Sequence, residues 1–467
     1  MRKTKIICTL GPATETPEIL REMLSAGANI FRLNMSHAAH EWVRTIVPRI
    51  RAAARDLDVV AGILMDTQGP AIRTGDLDSK IDLKAGDIFE FTVRGAKSEE
   101  PYSVDVNYDG LIDDISVGDT VLVDNGVLHM KVLEKAGSKI RCEVLTPGIL
   151  GSRRHINLPG VRVNLPPLTE KDLADVAVGA EMNVDFVALS FCREASDVVA
   201  LREVLRQHGS SARIVAKIED QLAVKNINDI IDQTDAIMVA RGDLGIECPM
   251  EDLPIIQRKI VKRCLQKGRP VIVATHLLES MIINPVPTRA EITDVANAVY
   301  EQADAIMLSG ETTVGKYPVE CVRVLDKVAR RIERSGGAGF ASEAILESDR
   351  HRTVSSAVNL ANSLPKAKLI VFTRRGNMSD YVSHLRPLRA PIHAFAPTYE
   401  LCRKISLNWG TTAHYLPFDP NPVRTIGAAQ NLLTDLKLVE SGDHLVIVSD
   451  LMAGEDRFDS IQLRVVP

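Results

Sequence analysis

The sequence predicts an α/β protein: a (β/α)8 TIM barrel with an inserted small β-barrel lid domain and a C-terminal α/β domain. Three observations lead there. Eight short apolar runs, each followed by a helical pattern, alternate along the chain. One interval, between the third and fourth runs, is far longer than the others and alternates apolar with polar residues. A second series of strand and helix patterns follows a glycine-rich break.

The eight runs are Lys5–Thr9, Asn29–Asn34, Ala61–Asp66, Phe186–Ser190, Arg213–Ile218, Ala236–Ala240, Val271–Ala274 and Ala305–Leu308. Strands alternating with helices imply right-handed βαβ units and a parallel sheet, and eight suffice to close a barrel; a doubly wound open sheet is the competing arrangement. Composition agrees, because 45% of residues are apolar but only 4% aromatic, as in cores built from Val, Ile, Leu and Ala. The long interval, from about Ala71 to Asn164, contains DIFEFTVRG, DTVLVDNGVLHMKVLE and KIRCEVLTPG, the pattern of short antiparallel strands between Gly and Asp turns. Gly69-Pro70 and Pro166-Pro167 punctuate its ends. At the carboxyl end of strand three, such a domain can cover a site as a lid. After Leu308 a helical stretch runs to the linker SGGAGF (Ser335–Phe340), and strands at Leu369–Phe372, Ile392–Phe395, Thr412–Leu416 and His444–Val448 follow. The expected domains are therefore 1–70 and 165–335 for the barrel, 71–164 for the lid and 336–467 for the last domain.

Length and charge narrow the function classes. At about 150 residues per domain, 467 residues suggest several domains. A net charge of −5 provides no bulk basic field for a polyanion, so nucleic acid is not an expected partner. Seven scattered cysteines without a C-x-x-C pair argue against disulfides and zinc and read as small buried hydrophobes. No run reaches the ~18 apolar residues of a membrane span, so no membrane association and a cytoplasmic location are expected.

The chemistry lies at strand ends, where barrels of this kind build their sites. Strand two ends in Arg32, Asn34, Ser36 and His37; strand three in Asp66 and Thr67; strand five in Lys217, Glu219 and Asp220. Strand six ends in Arg241, Gly242 and Asp243, strand seven in Thr275 and His276, strand eight in Ser309 and Glu311. Each alone is as readily a turn or helix cap. Six strands converging on cations, carboxylates and hydroxyls point to a site instead. Lys217 and Glu219, two apart, share one strand face, either as a buried ion pair or facing a ligand. Glu219 with Asp243 suits Mg²⁺, which takes one or two carboxylates and completes its shell with water and substrate. The N–H groups around Gly242 and Asp243 suit a carboxylate or phosphate, and Arg32 adds a guanidinium fork. Metal, fixed cations and an anion pocket are the parts of phosphoryl transfer, although no Walker loop or protein-kinase motif occurs. Asn34, Ser36, Asp66 and Thr67 offer oxygens for a monovalent cation, or form a hydrogen-bonded cluster. Thr288 reads as a helix cap, with Arg289 and Glu291 in a structural or subunit-contact role.

The stretches KIICTLGPAT, FRLNMSH, MDTQGPAIRTG, NLPG, AKIED, VARGDLG, PTRAEITDVANAV and MLSGET resemble the pyruvate kinase family in order and spacing, over essentially the whole chain. The resemblance implies glycolytic transfer of the phosphoryl group of phosphoenolpyruvate to ADP, with Mg²⁺ or Mn²⁺, in a cytoplasmic homotetramer with a regulatory last domain. It implies that Lys217 stabilises the transferring phosphoryl group, Glu219 and Asp243 ligate the divalent ion, and Gly242, Asp243 and Thr275 hold the substrate carboxylate. Arg32 would bind phosphate; Arg73, Arg154, Asn34 and His37 would contact nucleotide; Asn34, Ser36, Asp66 and Thr67 match potassium ligands. Ala71 replaces the usual Glu or Lys, so potassium is expected to bind without being strictly required. Gln68, Arg154-His155 and Asn164 also depart from the family pattern, all at the lid. The loop FTRRGNMSD (Phe372–Asp380), with Thr373 and Ser379, is either a phosphate cradle like that of relatives or a solvated turn. Two other readings fit the motifs less well: a Mg²⁺-dependent pyruvate or oxaloacetate lyase, and an inactive phosphoenolpyruvate sensor.

Overall fold

Eight parallel strands close a barrel in a computed structural model that describes residues 2–453 and 456–467. They are β1 (Lys5–Thr9), β2 (Ile30–Asn34), β3 (Gly62–Asp66), β4 (Phe186–Leu189), β5 (Arg213–Ile218), β6 (Ala236–Ala240), β7 (Val271–Ala274) and β8 (Ala305–Leu308). Each pairs in parallel with its sequence neighbours, and β1 pairs with β8 to close the ring. The open sheet is thereby excluded.

The apolar runs are explained by burial on both faces. Along β5, Ile214, Ala216 and Ile218 join the layer between sheet and helices, while Val215 joins Ile7, Ile30, Leu64, Phe186 and Met238 inside the barrel. Leu407, from the last domain, belongs to that inner cluster and stops the amino end of the barrel. All seven cysteines are buried and unpaired, as their scatter predicts.

The interval after β3 forms a six-stranded sheet and a two-stranded sheet around a separate core that includes Phe89, Phe91, Val123 and Ile140. Gly69 starts the connection: at φ +71° it takes a conformation open to glycine, and a Cβ there would sit 2.9 Å from Ser190 Cβ and the Phe191 ring. Arg193 fastens the return, its guanidinium donating to Val163 O at 2.8 Å and Leu165 O at 2.5 Å.

The last domain is a five-stranded sheet with its own core. Four strands are parallel: Thr411–Tyr415, Ile392–Ala396, Ala367–Phe372 and His444–Ala453. The fifth, Asp456–Val465, folds back antiparallel on His444–Ala453 and is absent from the expected strands.

Candidate functional site

The inward side of the barrel turns from apolar to charged at the carboxyl ends of its strands. The period of two that buries Leu64 puts Asp66 above it on β3, as it puts Arg32 above Ile30 on β2 and Lys217 above Val215 on β5. Asp66, fully buried, is the hub: Oδ2 accepts from Arg32 Nε at 2.6 Å, and Oδ1 lies 3.2 Å from both Lys217 Nζ and Ser190 Oγ. Lys217 Nζ also donates to Ser190 Oγ at 2.8 Å and pairs with Glu219 Oε1 at 2.9 Å. Glu219 Oε2 accepts from the Phe191 N–H at 2.5 Å, and Arg32 Nη1 donates to Thr9 Oγ1 at 3.0 Å.

Burial and pairing set the charges. Burial would raise the Asp66 carboxyl, but Lys217 and Arg32 outweigh it and hold the group below the usual carboxylate range. Burial would neutralise Lys217, yet Asp66 and Glu219 keep its ammonium above its ordinary value. Glu219 is compensated least: burial pushes its carboxyl upward, Lys217 opposes, and Asp243 nearby pushes it further.

Above this layer a cavity of about 310 Å³ opens between barrel and lid. It gathers Arg32, Asn34, Ser36, Thr67, Lys217, Glu219 and Asp243 from strand ends, and Arg73 and Arg154 from the lid. Asp66 lies beneath it, and His37, Gly242 and Thr275 stand outside its lining. Thr275 Oγ1 accepts the Gly242 N–H at 2.8 Å, and Thr275 and His276 hold left-handed φ values of 70° and 56°, backbone strain at a strand end. Arg241 secures that turn by donating to Ala274 O at 3.1 Å and Thr275 O at 2.5 Å.

Other strand-end groups are engaged in local structure. Asp220 caps a helix through the Ala223 N–H at 2.7 Å, and Glu311 accepts from Leu278 N at 3.1 Å and Ser309 N at 2.7 Å. Thr288 and Glu291 form a capping box. In the last domain Ser379, which the sequence places either in a phosphate cradle or in a solvated turn, is fully buried on the helix Asn377–His384 and accepts from Asn408 Nδ2 at 3.0 Å. Ser190, Phe191, Arg153 and His155 also line the cavity and went unlisted among the candidates. Ser190 carries no charge and follows an apolar run, so only its place at the end of β4 signalled it. His155 is pushed below its ordinary value by burial and by Arg73.

Among the described residues no cluster of three or more His, Cys, Asp or Glu side chains forms a metal cage. The two neighbouring carboxylates, Glu219 and Asp243, nonetheless fit a hard divalent cation that draws its other ligands from water and substrate. A cation bound there would offset the burial, and the nearby Asp243 charge, that together raise Glu219.

The family profile described as "Pyruvate kinase, barrel domain" matches residues 1–322, and "Pyruvate kinase, alpha/beta domain" matches residues 351–463. The chain is 40% identical to pyruvate kinase of Geobacillus stearothermophilus over 462 residues, covering 97% of this chain and 78% of the relative. It is 39% identical to the chloroplastic pyruvate kinase isozyme G of Nicotiana tabacum, covering 96% and 80%. A crystal structure of a pyruvate kinase from Cryptosporidium parvum superposes with a TM-score of 0.94 at 34% identity, covering 100% of this chain and 96% of that one.

Replacing Asp66 by Asn leaves two buried cations short of their shared counter-ion, which is expected to lower unfolding stability by about 3 kcal/mol. Urea unfolding of Asp66→Asn measures this, and a loss below about 1 kcal/mol would show that the cluster does not depend on Asp66.

Proposed function

Because the chain belongs to the pyruvate kinase family, we propose that it transfers the phosphoryl group of phosphoenolpyruvate to ADP, giving pyruvate and ATP, at the cavity between barrel and lid. One observation carries the assignment to this cavity: the buried Lys217 ammonium, kept charged by Asp66 and Glu219, faces a space that arginines of both domains enter. The lyase and sensor readings lose ground to relatives named as pyruvate kinases that match nearly the whole chain.

Arg32 spends Nε on Asp66 and Nη1 on Thr9, leaving Nη2 for a substrate phosphate oxygen. Lys217 then neutralises charge on the phosphoryl group as it passes between oxygens, work done by positioning and electrostatics. Gly242, Asp243 and Thr275 hold the substrate carboxylate at the amino end of the helix Arg241–Glu247, and Thr275 supports protonation of the enolate. Arg73, Arg154, Asn34 and His37 take the nucleotide, and closure of the lid brings the two arginines inward. Glu219 and Asp243 would hold Mg²⁺ or Mn²⁺, which would supply positive charge to offset that of the substrate oxygens.

Asn34, Ser36, Asp66 and Thr67 hold K⁺. Both Asp66 oxygens are already engaged with cations, and Ala71 adds no carboxylate, which supports a potassium that binds without being strictly required. No described helix is long and apolar enough to cross a membrane. A cytoplasmic location is proposed on the family resemblance. Exposed Ile283, Val286 and Val314 crowd two loops joined by the Lys316 N–H to Ile282 O bond of 2.9 Å, an apolar patch suited to a subunit contact in a homotetramer.

A coupled assay with phosphoenolpyruvate, ADP and Mg²⁺ is expected to yield pyruvate with and without K⁺; no pyruvate under either condition would overturn the activity. Lys217→Met is expected to lower kcat about 10²–10³-fold, and a near-normal rate would refute its role. Because a proton competes for Glu219, Mn²⁺ affinity measured by titration is expected to weaken as pH falls from about 8 to about 6; an affinity independent of pH would remove Glu219 from the ligands. Sedimentation velocity is expected to return a tetramer, and a monomeric boundary at assay concentration would contradict it.

A further inference from the structure

The last turn of the helix Arg241–Glu247 meets the lid twice. Asn157 Nδ2, on the returning lid strand Ile156–Asn157, donates to Glu247 Oε1 at 2.8 Å, and both side chains are buried. Gly126 of the lid lies against Ile246, where a Cβ on the glycine would stand 3.4 Å from Ile246 Cγ2. The barrel holds the same helix at both ends. Arg241 donates to Ala274 O and Thr275 O, and Gln221 Nε2 donates to the Glu247 carbonyl oxygen at 2.5 Å.

A carboxylate is costly at this place. It stands at the carboxyl end of a helix, where the peptide dipoles already present negative charge. Burial pushes the Glu247 carboxyl up to about 7, the Asn157 side chain opposes, and Asp220 and Asp243 push it further. No Lys or Arg among the described residues pairs with it. The groups that favour its charge, the Asn157 amide and the Leu158 N–H, both belong to the lid. Glu247 is therefore placed for the lid rather than for the helix that carries it.

We propose that Asn157 and Glu247 are a positioning pair, whose buried bond seats the lid on the helix Arg241–Glu247 and so holds the lid arginines over the catalytic layer. Neither residue lines the catalytic cavity, and each acts through a near neighbour that does. Arg154 precedes Asn157 by three residues, and Asp243 precedes Glu247 by four, about one helical turn. The bond thus ties the strand that brings Arg154 to the helix that brings Asp243. This role rests on the catalytic reading of the cavity, in which the lid takes ADP and barrel groups take phosphoenolpyruvate.

Exchanging the two groups tests the pair in the full chain. Asn157→Asp sets a second carboxylate against Glu247, and adding Glu247→Gln restores one donor and one acceptor in reverse order at unchanged size. In steady-state pyruvate formation, Asn157→Asp is expected to raise KM for ADP about tenfold while KM for phosphoenolpyruvate stays within about twofold, and the double variant is expected to recover both. Asn157→Ala, which adds no charge, carries the same expectation where the second carboxylate prevents folding. Hydrogen exchange at the amides of residues 154–158 reads the bond without turnover, and is expected to run about tenfold faster in Asn157→Asp and to recover in the double variant. An unchanged KM for ADP, a parallel rise of both KM values, or no recovery in the double variant would overturn the proposal. An unmodified protein that makes no pyruvate overturns the catalytic reading instead; the exchange rates then decide the seating of the lid strand, and unchanged rates overturn it.

Discussion

One buried carboxylate organises the mouth of the barrel. Asp66 sits between Arg32 and Lys217 and is the counter-ion that the two buried cations share. The three residues come from β2, β3 and β5, and Ser190 after β4 joins them, so four strand ends are keyed to one another by charge. The apolar layers below fix how high on each strand the charges stand, because inward positions recur every second residue. Glu219 receives what remains of the Lys217 charge. It is thereby left the carboxylate most in need of an added cation, beside Asp243.

The two appended domains use opposite ends of the barrel for physical reasons. The lid enters through Gly69 and returns past Arg193, and the Asn157 side chain touches the barrel at Glu247 Oε1, 2.8 Å away. The last domain closes the amino end: Leu407 fills the barrel floor, Arg386 pairs with Asp304 at 2.6 Å, and the Trp409 N–H donates to Asp304 at 3.2 Å. The charged layer at the carboxyl ends thus faces the lid. The last domain also pairs with the foot of β5, where Arg213 meets Asp380 at 3.0 Å.

The eight barrel strands were legible because parallel strands buried on both faces read as short apolar runs, and the inserted sheet was legible because its period changes to two. The hairpin strand Asp456–Val465 escaped because it is an edge strand, with Leu463 and Val465 exposed and no continuous apolar run to mark it. Ser190 and Thr9 escaped the search for charge, yet both complete the Asp66 cluster as neutral hydrogen-bonding groups.

The sequence by itself determined the class of fold, the order of the domains, the family and the set of polar strand ends, since each follows from periodicity or from local motifs. Only the tertiary structure separated a working carboxylate from a capping one. Glu219, Asp220 and Glu311 are alike in composition and all follow barrel strands, but Asp220 and Glu311 spend their oxygens on nearby N–H groups. Glu219 is turned inward to Lys217 and the open cavity. That difference is one of side-chain direction in a closed ring, which depends on neighbours brought together from strands far apart in the chain.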